Sequence, residues 1–292
     1  MGKKAELLLP CQCELGEGPL YCEVKNKLYW IDIVAKQLHE LALKSQVHSV
    51  LDLPEAPGTI GFNENGKMMI FLADGLYQID ADETLSFINR PDDMDHTLRF
   101  NDGKVDPWGR FVVGTMEKDG AGNKEITKGS LYLVHKDGRF ENIGPKQFHI
   151  PNGMAWTEDE KFFYHVDTVK EGVFRYEYNT KKQLVNKVKI IDFTNEVGSP
   201  DGLTMDKEGM LWIANWGGAR VSHWDPIKGE KLGEVLVGSK NVTSCAFGGA
   251  DYQTLFITTA AVGGNRENAL KGEGGLYHYQ PRIGGRKDYK YR

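Results

Sequence analysis

The chain has 292 residues, with 36 Lys and Arg against 41 Asp and Glu, and a formal net charge of −5 with both signs interspersed. That balance offers no basic footprint for nucleic acid, and no apolar stretch is long enough to span a bilayer. The first residues, with Lys3, Lys4 and Glu6 around so short an apolar segment, fit neither a secretory signal nor a myristoylation site, so the expectation is a cytoplasmic protein, a monomer or weak oligomer, without nucleic-acid or membrane partners.

In chain order, Leu7-Leu8-Leu9 comes first and reads as a strand able to pair with the far end of the chain. One pattern then returns six times. It begins GEGPLYCEVKNKLYWID and continues as TIGFNENGKMMIFLAD, NDGKVDPWGRFVVGT, NGMAWTEDEKFFYHVD, DGLTMDKEGMLWIAN and SCAFGGADYQTLFITT. Each copy has an apolar stretch, a turn and a second stretch rich in β-branched and aromatic residues. The turns fall at Lys25-Asn26, Asn65-Gly66, Trp108-Gly109, Asp159-Glu160, Glu208-Gly209 and Ala250-Asp251. A further strand closes most copies, as at Leu38–Leu41, Gly75–Ile79 and Val173–Glu177. No stretch reads as a helix of three turns. A period of about 42 to 51 residues built from strands is that of a four-stranded propeller blade. We therefore expect an all-β protein, a six-bladed β-propeller with four-stranded antiparallel blades around a central axial metal site, as one domain over residues 1–292. The segment EKDGAGNKEITK between Met116 and Gly129 reads as a loop over one end of the ring, and the basic stretch from Arg282 to Arg292 as solvated.

One position of the repeat is occupied by Glu17, Thr59, Asn101, Asn152, Asp201 and Ser244. Taken singly, each reads as an acceptor for turn amides, since Asn-Gly and Asp-Gly are ordinary hairpin signals. Taken together, the position is fixed while the residue type changes, and each member carries an oxygen. On a ring these oxygens converge at the axis. Carboxylates with amide carbonyls are the donors a hard divalent cation such as Ca²⁺ prefers. Gly18, Gly153 and Gly202 follow the three strongest candidates and allow close backbone approach.

Glu17-Gly18-Pro19, the run from Arg99 to Pro107, Gly114-Thr115-Met116, Asn152-Gly153, Pro200-Asp201-Gly202-Leu203, Leu211–Ala214 and Thr243–Gly249 resemble the SMP-30/gluconolactonase/luciferin-regenerating family over roughly residues 14 to 280. The resemblance implies a metal-dependent lactonase acting on a sugar lactone. It implies metal ligands at Glu17, Asn152 and Asp201, and substrate contacts at Arg99 and Asn101. It places a further acidic contact at Glu117 or Asp119. Where the family has Trp after Glu-Gly-Pro, Leu20-Tyr21 stands here. Asp201, or a metal-bound water, would deliver the nucleophile; the cation is Ca²⁺, with Zn²⁺, Mn²⁺, Mg²⁺ and Fe²⁺ as alternatives.

Other readings stay open at this stage. A calcium-binding scaffold without catalysis, or a hydrolase of another ester such as a phosphotriester, would use the same fold. Arg99 could pair with Asp95 or Asp102, and Asp102 and Asp106 read as turn caps. His96, His165 and His223 read as satisfied structural groups, and the six tryptophans as blade core, with Trp216 alone in a position to line the pocket. Cys11, Cys13, Cys22 and Cys245 read as reduced structural thiols without a zinc role, since Cys-x-Cys lacks the common zinc spacing. No G-x-S-x-G elbow is present.

Overall fold

The structure is a computed structural model that describes residues 3–118, 128–144, 148–179, 183–261 and 272–292. Among these, 24 strands form six antiparallel sheets of four. Strand β1 (Glu6–Leu9) stands apart from its sequence neighbours. The first blade holds β2 (Gly16–Cys22), β3 (Lys27–Asp32), β4 (Gln37–Ala42) and β5 (Val47–Asp52). The second holds β6 (Pro57–Phe62), β7 (Met68–Leu72), β8 (Gly75–Ile79) and β9 (Leu85–Asn89). The third holds β10 (Leu98–Val105), β11 (Phe111–Glu117), β12 (Leu131–Val134) and β13 (Phe140–Asn142). The fourth holds β14 (Pro151–Trp156), β15 (Phe162–Asp167), β16 (Gly172–Tyr178) and β17 (Leu184–Asp192). The fifth holds β18 (Ser199–Met205), β19 (Leu211–Trp216), β20 (Arg220–Asp225) and β21 (Glu230–Leu236). The sixth holds β22 (Asn241–Gly248), β23 (Thr254–Ala260), β24 (Leu276–Tyr279) and, from the other end of the chain, β1.

The first strand of each blade packs against the first strand of the next, and β22 packs against β2, so the ring closes. Closure is completed by β1 pairing with β24, with Leu7 opposite Tyr277 and Leu9 opposite Leu276. The expected role of Leu7–Leu9 is thereby met, and the blade that would otherwise end in an open edge is covered. The core is a set of wedges between adjacent blades. Ile60, Ile70 and Leu72 meet Tyr29 and Ile31 in one, and Phe71, Phe100 and Phe111 fill the next. No blade buries its apolar face alone.

All six predicted turns place their second residue in the left-handed region, at Asn26, Gly66, Gly109, Glu160, Gly209 and Asp251. Asn, Asp and Gly, which supply five of the six, reach that region at little cost. Glu160 is the exception, and there the turn signal is Asp159 before it, whose carboxylate accepts from Lys161 N. The helical elements among the described residues are two single 3₁₀ turns, Thr168–Lys170 and Ala250–Tyr252.

The C-terminal stretch corrects the expectation of a solvated end. Gly284 O accepts from Lys207 N (2.9 Å), Tyr291 N donates to Phe62 O (2.9 Å), and Arg292 N donates to Gly109 O (2.8 Å). Its partners lie where the innermost strands of blades five, two and three end. It is therefore a strap across the end of the ring opposite the entry of those strands. Tyr291 is buried in the wedge between blades two and three, and its hydroxyl donates to His135 O. An aromatic ring within a basic stretch explains the outcome: Tyr291 goes in while Lys290 and Arg292 on either side of it stay exposed.

Candidate functional site

Each of the six innermost strands breaks register at the repeated position. The breaks fall between Glu17 and Leu20, Pro57 and Thr59, Phe100 and Gly103, Asn152 and Met154, Pro200 and Leu203, and Val242 and Ser244. A β-bulge leaves residues outside the ladder and bends the strand. Repeated around the ring, it turns one set of polar side chains away from the sheets and toward the axis.

The bulges are packed tightly enough to exclude side chains. A Cβ on Gly202 would lie 2.1 Å from Ser244 Oγ and 2.8 Å from Ser244 Cα. One on Gly153 would lie 2.7 Å from Leu203 N and 2.8 Å from Asp201 O. The glycines after Asn152 and Asp201 are thus required by contact between neighbouring blades.

At the strand-entry end the side chains form a connected row. Arg99 Nη1 donates to Asn101 Oδ1 (2.8 Å) and to Phe100 O (2.9 Å). Asn101 Nδ2 donates to Pro151 O and to Asn152 Oδ1, both at 2.9 Å. Asn152 Nδ2 donates to Thr168 Oγ1 (2.8 Å), whose hydroxyl donates to Pro200 O (2.8 Å) beside Asp201. The row crosses blades three, four and five and fixes the Asn152 amide with its oxygen toward Asn101.

Glu17 and Asp201 lie close enough to the row and to each other to share their charges. Burial, then the neighbouring Asp102, pushes the Glu17 carboxyl up to about 8, against the Gly18 amide and Arg99. Burial, then Glu17 and Asp102, holds Asp201 well above the carboxylate range. Burial takes Arg99 down to about 10, against the pull of Glu17. Like charges brought together out of water disfavour one another's ionisation, and a cation between them removes that penalty. Two carboxylates and an amide oxygen are donors for a hard divalent ion, so the residues present fit such an ion.

Asp102 was read from the sequence as a turn cap and instead faces the axis. Its carboxyl is raised to about 6 by burial, opposed by the Gly103 amide and Lys104. It lines a cavity of about 50 Å³ further along the axis with Thr59, Lys104, Ser244 and Asp288. Lys104 pairs there with Asp288 of the strap at 3.1 Å. The signal that could have found Asp102 is its place in the same bulge as Asn101. Thr168, which ties blade four to blade five, has no sequence signal.

The remaining expectations divide. Thr59 Oγ1 is used on Gly103 O (2.8 Å), and Ser244 lies in the cavity, so neither joins the row. Glu117, opposite Leu98 at the strand-entry end of blade three, is paired with Lys128 at 3.0 Å. Asp119 and most of the segment EKDGAGNKEITK lie outside the described residues. Trp216 is 38% exposed and pairs with Ser199 at the end from which β18 enters. Asp106 caps its turn as expected, accepting from Trp108 N and Arg110 N. His223 is satisfied by Asp206 (3.1 Å), and His96 is exposed beside Asp95. His165 differs: it is buried among Phe148, Phe163 and Tyr176, and neither ring nitrogen has a hydrogen-bond partner among the described residues. A flat ring satisfied that apolar slot without the polar contacts expected of it.

Residues 15–261 match the family described as the SMP-30/Gluconolactonase/LRE-like region. Regucalcin of Macaca fascicularis is 33% identical over 287 residues, covering 97% of this chain and 92% of the relative. A 6-deoxy-6-sulfogluconolactonase of Pseudomonas putida is 34% identical over 249 residues, covering 84% of this chain and 83% of the relative. A solved structure from Agrobacterium tumefaciens, described as a calcium-binding protein, regucalcin, is similar with a TM-score of 0.91 at 27% identity, covering 100% of this chain and 98% of that one.

Proposed function

We propose that this chain, which belongs to the SMP-30/gluconolactonase/LRE-like family, hydrolyses a sugar lactone to its hydroxy acid with one divalent cation held by Glu17, Asn152 and Asp201. The observation that carries this reading is the hydrogen-bonded row from Arg99 through Asn101 to Asn152, beside Glu17 and Asp201 at one mouth of the ring. A site built only to bind a cation has no use for an arginine next to its carboxylates, because the positive charge opposes the ion. An arginine there suits an oxygen-rich ligand that gains negative charge as it reacts. The lactonase name of the Pseudomonas relative supports the substrate class, and the calcium-binding description of the Agrobacterium structure supports the cation.

When bound, the divalent ion supplies polarisation of the lactone carbonyl. The oxygen-only donor set favours Ca²⁺, with Mn²⁺, Mg²⁺, Zn²⁺ and Fe²⁺ as the alternatives to be ranked by assay. Asp201 takes a proton from the attacking water while the water oxygen bonds to the carbonyl carbon. The ring C–O bond then breaks and the departing oxygen regains a proton, so lactone and water give one hydroxy acid. Arg99 donates to the oxygen on which charge develops. Asn101, whose amide is engaged by Arg99, Pro151 and Asn152, chiefly positions those groups and keeps only a spare lone pair for substrate. Glu117, released from Lys128, reaches substrate hydroxyls at the rim.

Acid release from gluconolactone and a panel of sugar lactones, followed in a pH-stat with and without chelator, tests the proposal. Turnover is expected to require the cation. Asp201→Asn should lower kcat by roughly a thousandfold, and Arg99→Ala should lower kcat/KM by roughly a hundredfold while leaving cation affinity within a few-fold. Cation binding without metal-dependent acid release from any lactone would replace the enzyme with a calcium-binding propeller.

A further inference from the structure

Away from the axis, at the seam where the ring closes, a second group of donor atoms comes together. Cys11 and Cys13 lie between β1 and β2, Asp32 ends β3 and His39 lies in β4. Cys13 Sγ is 3.6 Å from Cys11 Sγ and 3.8 Å from His39 Nε2. One donor atom from each of Cys13, Asp32 and His39 lies within 4.8 Å of the other two, and all three residues are buried. In a tetrahedral zinc centre, bonds of about 2.3 Å to sulfur and 2.0–2.1 Å to nitrogen put neighbouring donors roughly 3.3–3.8 Å apart. The separations of 3.6 Å and 3.8 Å from Cys13 Sγ fall in the upper part of that range.

We propose that Cys13, His39 and Asp32, joined by Cys11 once its thiol turns away from Gly274 O, form a second cation site, separate from the axis, that takes a thiophilic divalent ion such as Zn²⁺. The groups around them hold each one as a ligand has to be held. His39 Nδ1 is 3.0 Å from His48 Nε2. With a proton on His39 Nδ1 donated to His48, Nε2 is the nitrogen turned toward Cys13 Sγ. Trp30 Nε1 donates to Cys13 Sγ (3.4 Å), the kind of contact that supports a thiolate. The Asp32 carboxylate accepts from the amides of Glu14 (2.8 Å), Leu15 (3.1 Å) and Ala35 (3.1 Å), which fixes its orientation toward the cluster. Cys11, half-buried, donates its thiol hydrogen to Gly274 O (3.2 Å) and gives that contact up on binding. Each thiol that ligates releases its proton to solvent, and no electrons move.

The donor chemistry separates this site from the axial one. Sulfur and imidazole select Zn²⁺ and Co²⁺ over Ca²⁺ and Mg²⁺, while the axial site offers oxygen alone. The second site also has a mechanical consequence. Its ligands join the segment after β1, which belongs to the sixth blade, to two strands of the first, so a bound ion would clamp the ring where it closes.

The test is titration of the intact, chelator-treated protein with Co²⁺, followed by absorption. A thiolate-to-cobalt charge-transfer band in the near ultraviolet, saturating at one ion per chain, is expected; oxygen ligands give no such band. It should persist in Asp201→Asn, which alters only the axial donors. Cys11→Ser touches a half-buried side chain and leaves the packing in place. It should weaken the band-forming affinity at least tenfold while lactone turnover stays unchanged. His39→Gln should remove the band. Absence of a band in the unaltered protein at saturating Co²⁺ overturns the proposal, as does a band of equal strength and affinity in Cys11→Ser. Should His39→Gln fail to fold, Cys11→Ser alone decides.

Discussion

His165 has a price in acid. It is a neutral ring in an apolar slot, with Lys170 and Lys187 nearby, and burial followed by those charges takes it down to about 3. Unfolded, it would titrate near 6.5. Above that pH both states are neutral and the residue adds no pH dependence. Below it the unfolded chain takes up a proton that the folded protein refuses, so stability is lost from about pH 6.5 down toward pH 3. At pH 5 the loss is about 2 kcal/mol. His165→Phe, which keeps a flat ring, is expected to remove that portion of the acid sensitivity. Urea unfolding at pH 7 and pH 5 checks this: an unchanged difference between the two pH values would show that the ring is solvated or paired. At the same scale, Asn152 and Asp201 could be picked out in the sequence because each precedes a glycine at a repeated position. Asp102 could not, because a residue beside a marked position reads equally well as a turn cap until the bulge shows where it faces.

Between residue and ring stands the bulged strand. The six bulges at equivalent places are the devices that aim the site, and the glycines beside them let neighbouring strands come into contact. Gly202→Ala forces a methyl group against Ser244, backbone included. It should cost about 2 kcal/mol or more and lower the melting temperature by several degrees. Because Asp201 is the preceding residue, cation affinity should fall with it. Unchanged melting and binding would show that the two strands separate freely. The second and third strands of each blade were legible in the sequence because they are buried and apolar, as in β3 and β7. The outermost strands were not individually legible. β5 and β9 are largely exposed, with mixed sequences VHSVLD and LSFIN, and exposed pairing imposes little pattern on side chains.

Across the molecule, closure is double. β1 completes the sixth blade, and the C-terminal strap spans the other end of the axis. Tyr291, 5% exposed, anchors the strap between blades two and three. Tyr291→Ala should destabilise the protein by about 3 kcal/mol. The strap also carries Asp288 to Lys104 below Asp102, so loosening it should disturb the axial cavity. Thermal unfolding of the variant with the cation present and absent checks both effects; a melting temperature within one or two degrees of the unaltered protein would mean that the strap is dispensable.

The repeat, the number of blades, the positions of the turns and the oxygen-bearing positions could be read from the chain alone, because each is written in neighbouring residues under local rules of propensity and burial. It also suggested that Leu7–Leu9 would close the ring, since a radial repeat has to end against its own beginning. Which of those oxygens meet, where the C-terminal stretch lies, that Asp102 joins the axis, and that Cys13 stands beside His39 and Asp32 emerge only in the folded ring. Those outcomes depend on the twist and stacking of whole blades, which bring together side chains that share no local pattern.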